Sequence, residues 1–403
     1  MSYSSSLLVL SAVTLATGQL LAPLPETFLN SSATWAWLSY DKLQFGTLPG
    51  AFNRSILDAP AAAEASDAGL TEVNAKLNSS DFVAYDERFF DIIGPNAKVE
   101  HVQQLDIRSH EAPCLVPGTD LLFFVEWGPR EEGYGQHGWQ YLLDVRKNVL
   151  QTVTTSPPTF NVHGCVTFNN SLYVVTDGSL NETGYLARID PSNWKRTTLL
   201  NNYYEQPFGG FNDLAMDNEG NFYLTDSKSG WGKGVVPYTP PTSPATYFVN
   251  GTTMRPKMIQ STTGNANGVA LSPDGRTLYL PNTGVSKYYP VRKDPYDDRG
   301  LWAYDFVSSK DGARLPVLAN KRLLNNPITY FYDGIRVTHD GLIFASAGDG
   351  VDVIDPDTGL ALGSIRVGGG RNVAVSLALG TYEFWIVGRG GVWHVSGLTH
   401  TLN

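Results

Sequence analysis

One short unit recurs along the chain, and it restricts the possible folds more than any other feature of the sequence. Residues 215–224 align with residues 270–280 and, as a third copy, with residues 337–344. Each copy contains an extended segment, an Asp/Asn-Gly type of turn and a second, apolar extended segment, which is the pattern of a β-hairpin. Weaker copies, which bring the number to six, occupy residues 115–125, 166–176 and 375–387.

Repeats of roughly 40 to 65 residues, with several short strands and no sustained helical period, predict an all-β protein. We expect a six-bladed β-propeller with four-stranded antiparallel blades, because radial packing buries faces that a single sheet leaves exposed. The propeller is predicted over residues 86–403, with one strand from within the segment 89–104 completing the last blade and closing the ring. Residues 19–85 show little alternation and many Ala, Ser and Pro residues, so they are predicted to form an irregular N-terminal extension.

The N-terminus carries an apolar run at residues 7–15, followed by the small residues Ala16 and Gly18. This pattern predicts a signal peptide over residues 1–18, and an apolar N-terminal tail is the alternative because no positive charge precedes the run. No other stretch is long enough to span a bilayer. Sequons favour a secreted glycoprotein, and we predict glycosylation at Asn30, Asn53, Asn78, Asn169, Asn181 and Asn250.

Charge and cysteine content exclude several classes of protein. The chain has 39 acidic and 29 basic residues, a net charge of -10, and no run rich in Lys or Arg, so nucleic acid is not an expected partner. Only two cysteines are present, Cys114 and Cys165, which excludes a disulfide-framework scaffold and a cysteine-based zinc site. The pair forms either one disulfide or two buried thiols, and the spacing does not decide between them.

Polar residues stand just before or at the start of each repeated unit, where the innermost strand of a propeller blade begins near the central channel. Asn212 precedes Gly220, Asn267 precedes Gly275 and Asp333 precedes Gly341 by eight residues in each case. Equivalent register implies equivalent position, so these side chains should converge on the axis. In chain order the predicted axial residues are Glu111, His163, Asn212, Asn267, Asp333 and Asn372.

Carboxylate and amide oxygens that converge without cysteine suit a hard divalent cation. We predict one cation, Ca²⁺ in the first place and Mg²⁺ or Mn²⁺ as alternatives, held by Glu111, Asn212, Asn267 and Asp333. Such a cation polarises a carbonyl group and lowers the pKa of bound water, and ester hydrolysis needs both effects. The alternative is that these side chains only cap turns by hydrogen bonding to the backbone.

Asp333 is the preferred general base, and His163 is either a second candidate base or a residue that lines the channel. The predicted substrate contacts are Asn212, His163, Asn372 and Trp127, the last of these in a loop that could border the mouth of the site. Other chemistries leave no trace, because the sequence contains no G-x-S-x-G elbow, no P-loop and no H-E-x-x-H motif.

Several segments resemble the family of gluconolactonases and senescence marker protein (regucalcin), especially its secreted fungal lactonohydrolase members. The resemblance covers about residues 86–398. It is carried by HEAPCLV at 110–116 with LLFFV at 121–125, FNDLA at 211–215, NGVALSPDG at 267–275, and DGI at 333–335 with VIDPDTG at 353–359.

The resemblance implies a secreted, metal-dependent lactonohydrolase that opens a lactone, a cyclic ester, by attack of a metal-associated water molecule. It matches Glu111, Asn267 and Asp333 with the protein ligands of the family's catalytic metal, and Asn212 with an asparagine at the metal and the substrate. The counterpart of Asp333 is proposed to activate water. Ca²⁺ is the expected ion, and some family members use Zn²⁺ or Mn²⁺.

Two departures from the family pattern concern the substrate. Gly210 stands where some members carry an arginine, and an insertion at about 227–246, rich in Pro and Gly, could form a lid. Both favour a substrate less polar than an aldonolactone. Two other functions stay open at this point: a ligand-binding propeller with a structural cation, and a non-hydrolytic enzyme of natural-product metabolism, similar to strictosidine synthase.

Overall fold

The computed structural model describes residues 21–38, 68–105, 110–131, 135–288, 290–327 and 329–403. The predicted signal peptide and the sequon at Asn53 lie outside these ranges. Within them the fold is the predicted six-bladed β-propeller of antiparallel blades. The turn glycines that define the repeat have positive φ angles, +82° at Gly220, +68° at Gly275 and +104° at Gly341, which is the conformation that selects glycine at a turn. None of the helices in the described part of the chain has the length and hydropathy of a membrane span.

Each repeated unit forms the two inner strands of a blade. Blade one contains β4 (His110–Leu115), β5 (Leu121–Glu131), β6 (Gly135–Asp144) and β7 (Val149–Thr152). Blade two contains β8 (Val162–Phe168), β9 (Ser171–Thr176), β10 (Leu186–Asp190) and β11 (Lys195–Leu200), and is followed by a short hairpin of β12 (Asn202–Tyr203) and β13 (Gln206–Pro207). Blade three contains β14 (Phe211–Met216), β15 (Phe222–Asp226), β16 (Ala245–Val249) and β17 (Pro256–Ser261), with helix α3 (Ser229–Gly232) between β15 and β16.

Blade four contains β18 (Ala270–Leu271), β19 (Thr277–Pro281), β22 (Leu301–Ser308) and β23 (Arg314–Asn325), with a hairpin of β20 (Ser286–Tyr288) and β21 (Val291–Lys293) inserted. Blade five contains β24 (Ile335–Val337), β25 (Ile343–Ala347), β26 (Gly350–Ile354) and β27 (Ala361–Arg366). Blade six contains β28 (Ala374–Leu379), β29 (Phe384–Gly388) and β30 (Gly391–Ser396), and its outer strand is β3 (Lys98–Gln104). The ring therefore closes as predicted, by a strand that precedes blade one in sequence.

The N-terminal extension has more regular structure than the sequence predicts. Strand β1 (Trp35–Trp37) pairs in parallel with β2 (Phe82–Ala84), and β2 pairs with β27, so blade five grows to six strands. Helix α1 (Ala68–Ser79) also lies in the extension, and helix α2 (Arg88–Ile93) follows it, just inside the predicted propeller range. Both strands are three residues long and buried throughout, so they give no alternating pattern that a sequence search could detect. Strand β2 also ends before residue 86, where we predict the propeller to begin.

The inner strands β4, β8, β14, β18, β24 and β28 are neighbours around the ring and enclose the axis. Glu111, His163 and Asn212 are each the second residue of their inner strand, whereas Asn267, Asp333 and Asn372 lie two or three residues before theirs. This arrangement brings the predicted axial residues to one end of the channel, the end at which the inner strands begin.

Cys114 on β4 and Cys165 on β8 form a disulfide, with their Cα atoms 5.8 Å apart. The bond resolves the two alternatives left by the sequence. It joins the inner strands of blades one and two, and both cysteines are buried among apolar side chains.

We expect the double variant Cys114→Ala/Cys165→Ala to lower the free energy of unfolding by about 2 to 4 kcal/mol, because the disulfide closes a loop of intermediate length in the unfolded chain. Denaturant unfolding of the oxidised wild type and the variant measures this difference. Dithiothreitol should lower the stability of the wild type and leave that of the variant unchanged. Equal stability of the two oxidised proteins would contradict a stabilising role for the bond.

Candidate active site

Glu111 and His163 lie side by side at the axial end of blades one and two. Nδ1 of His163 is 3.8 Å from Oε1 of Glu111, and both residues are buried. The indole ring of Trp127 packs edge-on against the imidazole, with ring centroids 5.2 Å apart. The backbone carbonyl of Asn212 accepts a hydrogen bond from the His163 ring, which brings blade three to the same point.

Asn267 and Asp333 form the opposite half of the site. The side chain of Asn267 hydrogen-bonds to the carboxylate of Asp333 and donates through Nδ2 to Oγ1 of Thr283, at 3.3 Å. Its backbone carbonyl accepts a hydrogen bond from the Thr225 hydroxyl, which fixes the loop before β18. Oδ1 of Asn267 is buried and accepts no hydrogen bond from the residues that the structure describes. A buried oxygen without a donor is a costly arrangement that a bound cation would relieve.

Asp177 is a site residue that the sequence analysis missed. It follows β9, the second strand of blade two, so it lies outside the register of the inner strands. Oδ2 of Asp177 is 3.4 Å from Nε2 of His163, and Oδ1 accepts a hydrogen bond of 2.8 Å from the Ser229 hydroxyl. The sequence does contain a pattern that could have identified Asp177. The dipeptide Thr-Asp occurs at the end of the second strand in blades two and three, at 176–177 and 225–226.

The site contains several carboxyl groups whose pKa values are changed by burial. Burial raises the pKa of Glu111 well above its usual value, and the charges of Asp333, Asp213 and Asp177 raise it further. Burial also raises the pKa of Asp333 to about 7, against the opposing effects of Lys233 and of the Asn267 hydrogen bond. Both shifts express the same cost, which is that of placing negative charge in a poorly solvated channel.

Lys233, which the sequence analysis also did not select, approaches this cluster from the 227–246 insertion. Its Nζ lies 3.2 Å from Nε2 of His163 and 4.4 Å from the centroid of the Trp127 ring. Burial lowers the pKa of His163 well below its usual value, and the Lys233 charge lowers it further, so the imidazole is neutral. A base with so low a pKa is weak, which favours Asp333 over His163 as the base.

The donor set fits a hard divalent cation. Two of the predicted ligands, Glu111 and Asp333, are carboxylates, and two, Asn212 and Asn267, are amides. In the part of the chain that the structure describes, no three His, Cys, Asp or Glu side chains come together as a metal site, so any cation here would depend on the amide oxygens. The orphan Oδ1 of Asn267 and the raised pKa values of both carboxyl groups agree with this assignment.

Two of the predicted substrate contacts, Trp127 and Asn372, have surroundings different from those of Asn212 and His163. Trp127 lies on strand β5 and not in the predicted loop, and it is buried, with Val235 and Val236 of the insertion in the same apolar cluster. Asn372 lies beside the loop of Gly368, where a Cβ atom would come within 2.6 Å of its Nδ2. Among the described residues, its side chain has no hydrogen bond to the other axial residues.

Gly210 stands where some members of the resembled family carry an arginine, and the structure gives a reason for the glycine. Its φ angle is +133°, and a Cβ atom there would lie 2.7 Å from Oδ1 of Asp177. No side chain fits without moving Asp177, so an arginine cannot occupy this position in the present arrangement.

The sequons differ in accessibility. Asn30, Asn169 and Asn181 are exposed, whereas Asn78 and Asn250 are only partly exposed. Oδ1 of Asn250 already accepts hydrogen bonds from the backbone of Thr252 and Thr253. Exposure therefore favours Asn30, Asn169 and Asn181 as the acceptors of predicted glycans.

Asp177→Asn is expected to stabilise the protein at pH 8, by about 3 kcal/mol at most. Burial raises the pKa of Asp177 to about 6, from 3.8 in the unfolded chain. A raised pKa means that the native state holds its proton more tightly, so the wild type loses stability as the pH rises from about 4 to 6. Denaturant unfolding between pH 4 and 8 should show this loss in the wild type and a smaller one in the variant.

The control for this measurement is Asp91→Asn, at an exposed aspartate of α2. It should keep the pH dependence of the wild type. A wild-type slope that survives unchanged in Asp177→Asn would contradict the role given to the buried carboxyl group.

Comparisons with known proteins match this chain to one family and to a fungal lactonohydrolase. The family model described as SMP-30/Gluconolactonase/LRE-like region matches residues 139–384. The chain is 30% identical over 410 residues to lactonohydrolase oryL of Aspergillus oryzae (strain ATCC 42149 / RIB 40), an alignment that covers 93% of this chain and 89% of that protein.

Two solved structures share the fold. A gluconolactonase from Xanthomonas campestris has a TM-score of 0.62 and 19% identity, and the match covers 79% of this chain and 95% of that one. A calcium-binding protein, regucalcin from Agrobacterium tumefaciens str. C58, has a TM-score of 0.54 and 15% identity, with 75% and 94% covered.

Proposed function

The chain belongs to the SMP-30/gluconolactonase/LRE-like family, and from that premise we propose that it is a lactonohydrolase, an enzyme that opens a cyclic ester by hydrolysis. One observation carries the proposal. The carboxylates of Glu111, which is buried, and Asp333, which is partly buried, lie with Asn267 at the axial end of the propeller. Lactone opening needs a base for water and a positive charge for the carbonyl oxygen, and this cluster suits both needs.

A divalent cation is part of the proposal. Glu111, Asn212, Asn267 and Asp333 would hold it, and their oxygen donors suit Ca²⁺ best, with Mn²⁺, Mg²⁺ or Zn²⁺ as alternatives. When bound, such an ion polarises a substrate carbonyl and lowers the pKa of water. A calcium-binding protein shares the fold, which supports this choice of ion.

Asp333 acts as the general base. Asp333 is partly exposed, whereas Glu111, His163 and Asn267 are buried, so Asp333 is the more accessible of the two carboxylates. Asp333 takes a proton from water as the water oxygen attacks the lactone carbonyl carbon. The ring C–O bond then breaks, the departing alkoxide takes the proton back from Asp333, and the product is a hydroxy acid that ionises in water. The hydrogen bond from Asn267 orients the Asp333 carboxylate, and the imidazole of His163 lies beside Glu111.

Secretion and glycosylation belong to the same proposal. The apolar run at residues 7–15 and the exposed sequons Asn30, Asn169 and Asn181 support passage through the secretory pathway. A disulfide between Cys114 and Cys165 suits an oxidising compartment.

The test is pH-stat titration of acid release from a panel of aldonolactones, aromatic lactones and macrolactones, with Ca²⁺ present. Turnover of at least one lactone supports the proposal. If every lactone is left intact by a folded protein that binds Ca²⁺, the proposal fails. A ligand-binding propeller with a structural cation, or a non-hydrolytic enzyme, would then account better for the site.

A further inference from the structure

The 227–246 insertion is packed as a cap on the axial end of the propeller. Ser229 is buried and donates to Asp177 of blade two, at 2.8 Å. Val235 and Val236 are buried against Trp127 of blade one. Gly232 lies so close to the hairpin of blade four that a Cβ atom there would overlap the Tyr288 side chain. Three blades therefore fix the position of this segment.

Lys233 is the charged residue that this cap directs at the site. Its Nζ contacts Nε2 of His163 at 3.2 Å and lies over the face of Trp127. The charge of Lys233 acts on Glu111, Asp333 and Asp177 alike, which locates the ammonium group among the three carboxyl groups. Asp213, the next carboxylate, has its own partner in Arg336, at 3.1 Å.

Accessibility separates Lys233 from most of its neighbours. Glu111, His163, Asn212 and Asn267 are all buried, with exposed fractions of 8% or less. Lys233 and Asp333 both keep part of their surface exposed. A small molecule that reaches Asp333 also meets the charge of Lys233, which acts on that carboxyl group.

We propose that Lys233 is a substrate-binding residue of this site. Its ammonium group donates a hydrogen bond to the carbonyl oxygen of the lactone and then pairs with the carboxylate that ring opening creates. This inference rests on the proposed lactone hydrolysis. The reaction turns a neutral ester into an anion, so an ammonium group beside the carbonyl gains interaction energy as charge develops on oxygen. Lys233 therefore contributes more to kcat/KM and to the binding of the hydroxy acid product than to the binding of the neutral lactone.

The experiment compares Lys233→Met and Lys233→Arg with the wild type in full-length, Ca²⁺-loaded protein. Turnover is measured with dihydrocoumarin and glucono-1,5-lactone, and calorimetry measures the binding of their ring-opened acids, 3-(2-hydroxyphenyl)propanoate and gluconate. Lys228→Met is the matched control, because Lys228 is on the same insertion but its Nζ lies 3.5 Å from the Thr263 carbonyl oxygen.

Lys233→Met should lower kcat/KM and weaken acid binding by about tenfold to a hundredfold, the range for one charged hydrogen bond. Lys233→Arg should recover part of both losses, and Lys228→Met should behave as the wild type. A purely structural lysine would not produce a loss of product binding that another cation restores.

Failure of this inference and failure of the proposed function give different results. If the wild type hydrolyses a lactone and Lys233→Met retains wild-type kcat/KM and acid binding, Lys233 is not a substrate contact. If the wild type opens neither lactone but binds one acid in a Lys233-dependent way, the lysine assignment holds and hydrolysis of these lactones does not. Absence of both turnover and acid binding in the wild type contradicts both.

Discussion

Asp333→Asn is expected to lower kcat for lactone opening by about 10²- to 10⁴-fold, the usual contribution of a positioned general base. An amide cannot accept the proton of the attacking water, although its oxygen can still face a cation and its size is almost unchanged. The rate is measured by pH-stat titration at saturating lactone with Ca²⁺ present. A thermal unfolding curve of the same sample verifies that the variant is folded.

The control for Asp333→Asn is Asp340→Asn, in the turn of the same blade, at the other end of β24. Its carboxylate interacts with Thr338 and His400, outside the axial cluster, so the rate should not change. If Asp333→Asn kept the wild-type rate, Asp333 would not be the base. A large loss in His163→Gln alone would then move that role to His163.

Glu111→Gln is expected to weaken Ca²⁺ binding by at least about tenfold, since even partners outside the ligand set of a metal contribute tenfold to a hundredfold. Activity at low Ca²⁺ should fall with it and should recover, at least in part, at high Ca²⁺. That recovery distinguishes this variant from Asp333→Asn, in which added cation does not replace the missing base. Calorimetric titration with Ca²⁺, together with turnover as a function of Ca²⁺ concentration, measures both effects.

The same variant should change stability in the opposite direction. Burial and neighbouring carboxylates raise the pKa of Glu111, so its ionised form destabilises the native state at neutral pH when no cation is bound. Glu111→Gln removes that charge and should raise the melting temperature in chelator at pH 7. Glu100→Gln, at an exposed position on β3, should alter neither property. A lower melting temperature with unchanged Ca²⁺ affinity would make Glu111 a structural residue.

The fold could be predicted because each repeat has a local sequence pattern. A turn glycine with positive φ stands eight residues after Asn212, Asn267 and Asp333, and that spacing fixes both the hairpin and the position of the polar residue before it. The closing strand was also predictable, since an open ring would leave unpaired edges. Local pattern and global architecture agree in these elements.

The N-terminal strands and the cap are set instead by tertiary contacts. Trp35 and Phe82 are buried between blade five and α2, and three buried residues show no period. Lys233 reaches the axis because Val235, Val236 and Ser229 anchor its segment, which spacing along the chain cannot reveal. The register of the first strands does not predict Asp177, because this residue follows a second strand.

The most direct test of a cation-dependent lactonase is chelation. A lactone that the wild type opens is followed in the pH-stat before chelator, after chelator and dialysis, and after Ca²⁺ is restored, with the metal content measured at each stage. Turnover should disappear with the metal and return with Ca²⁺, and Asp333→Asn should stay inactive throughout. Full turnover by a protein shown to be free of metal would contradict a cation-dependent reaction.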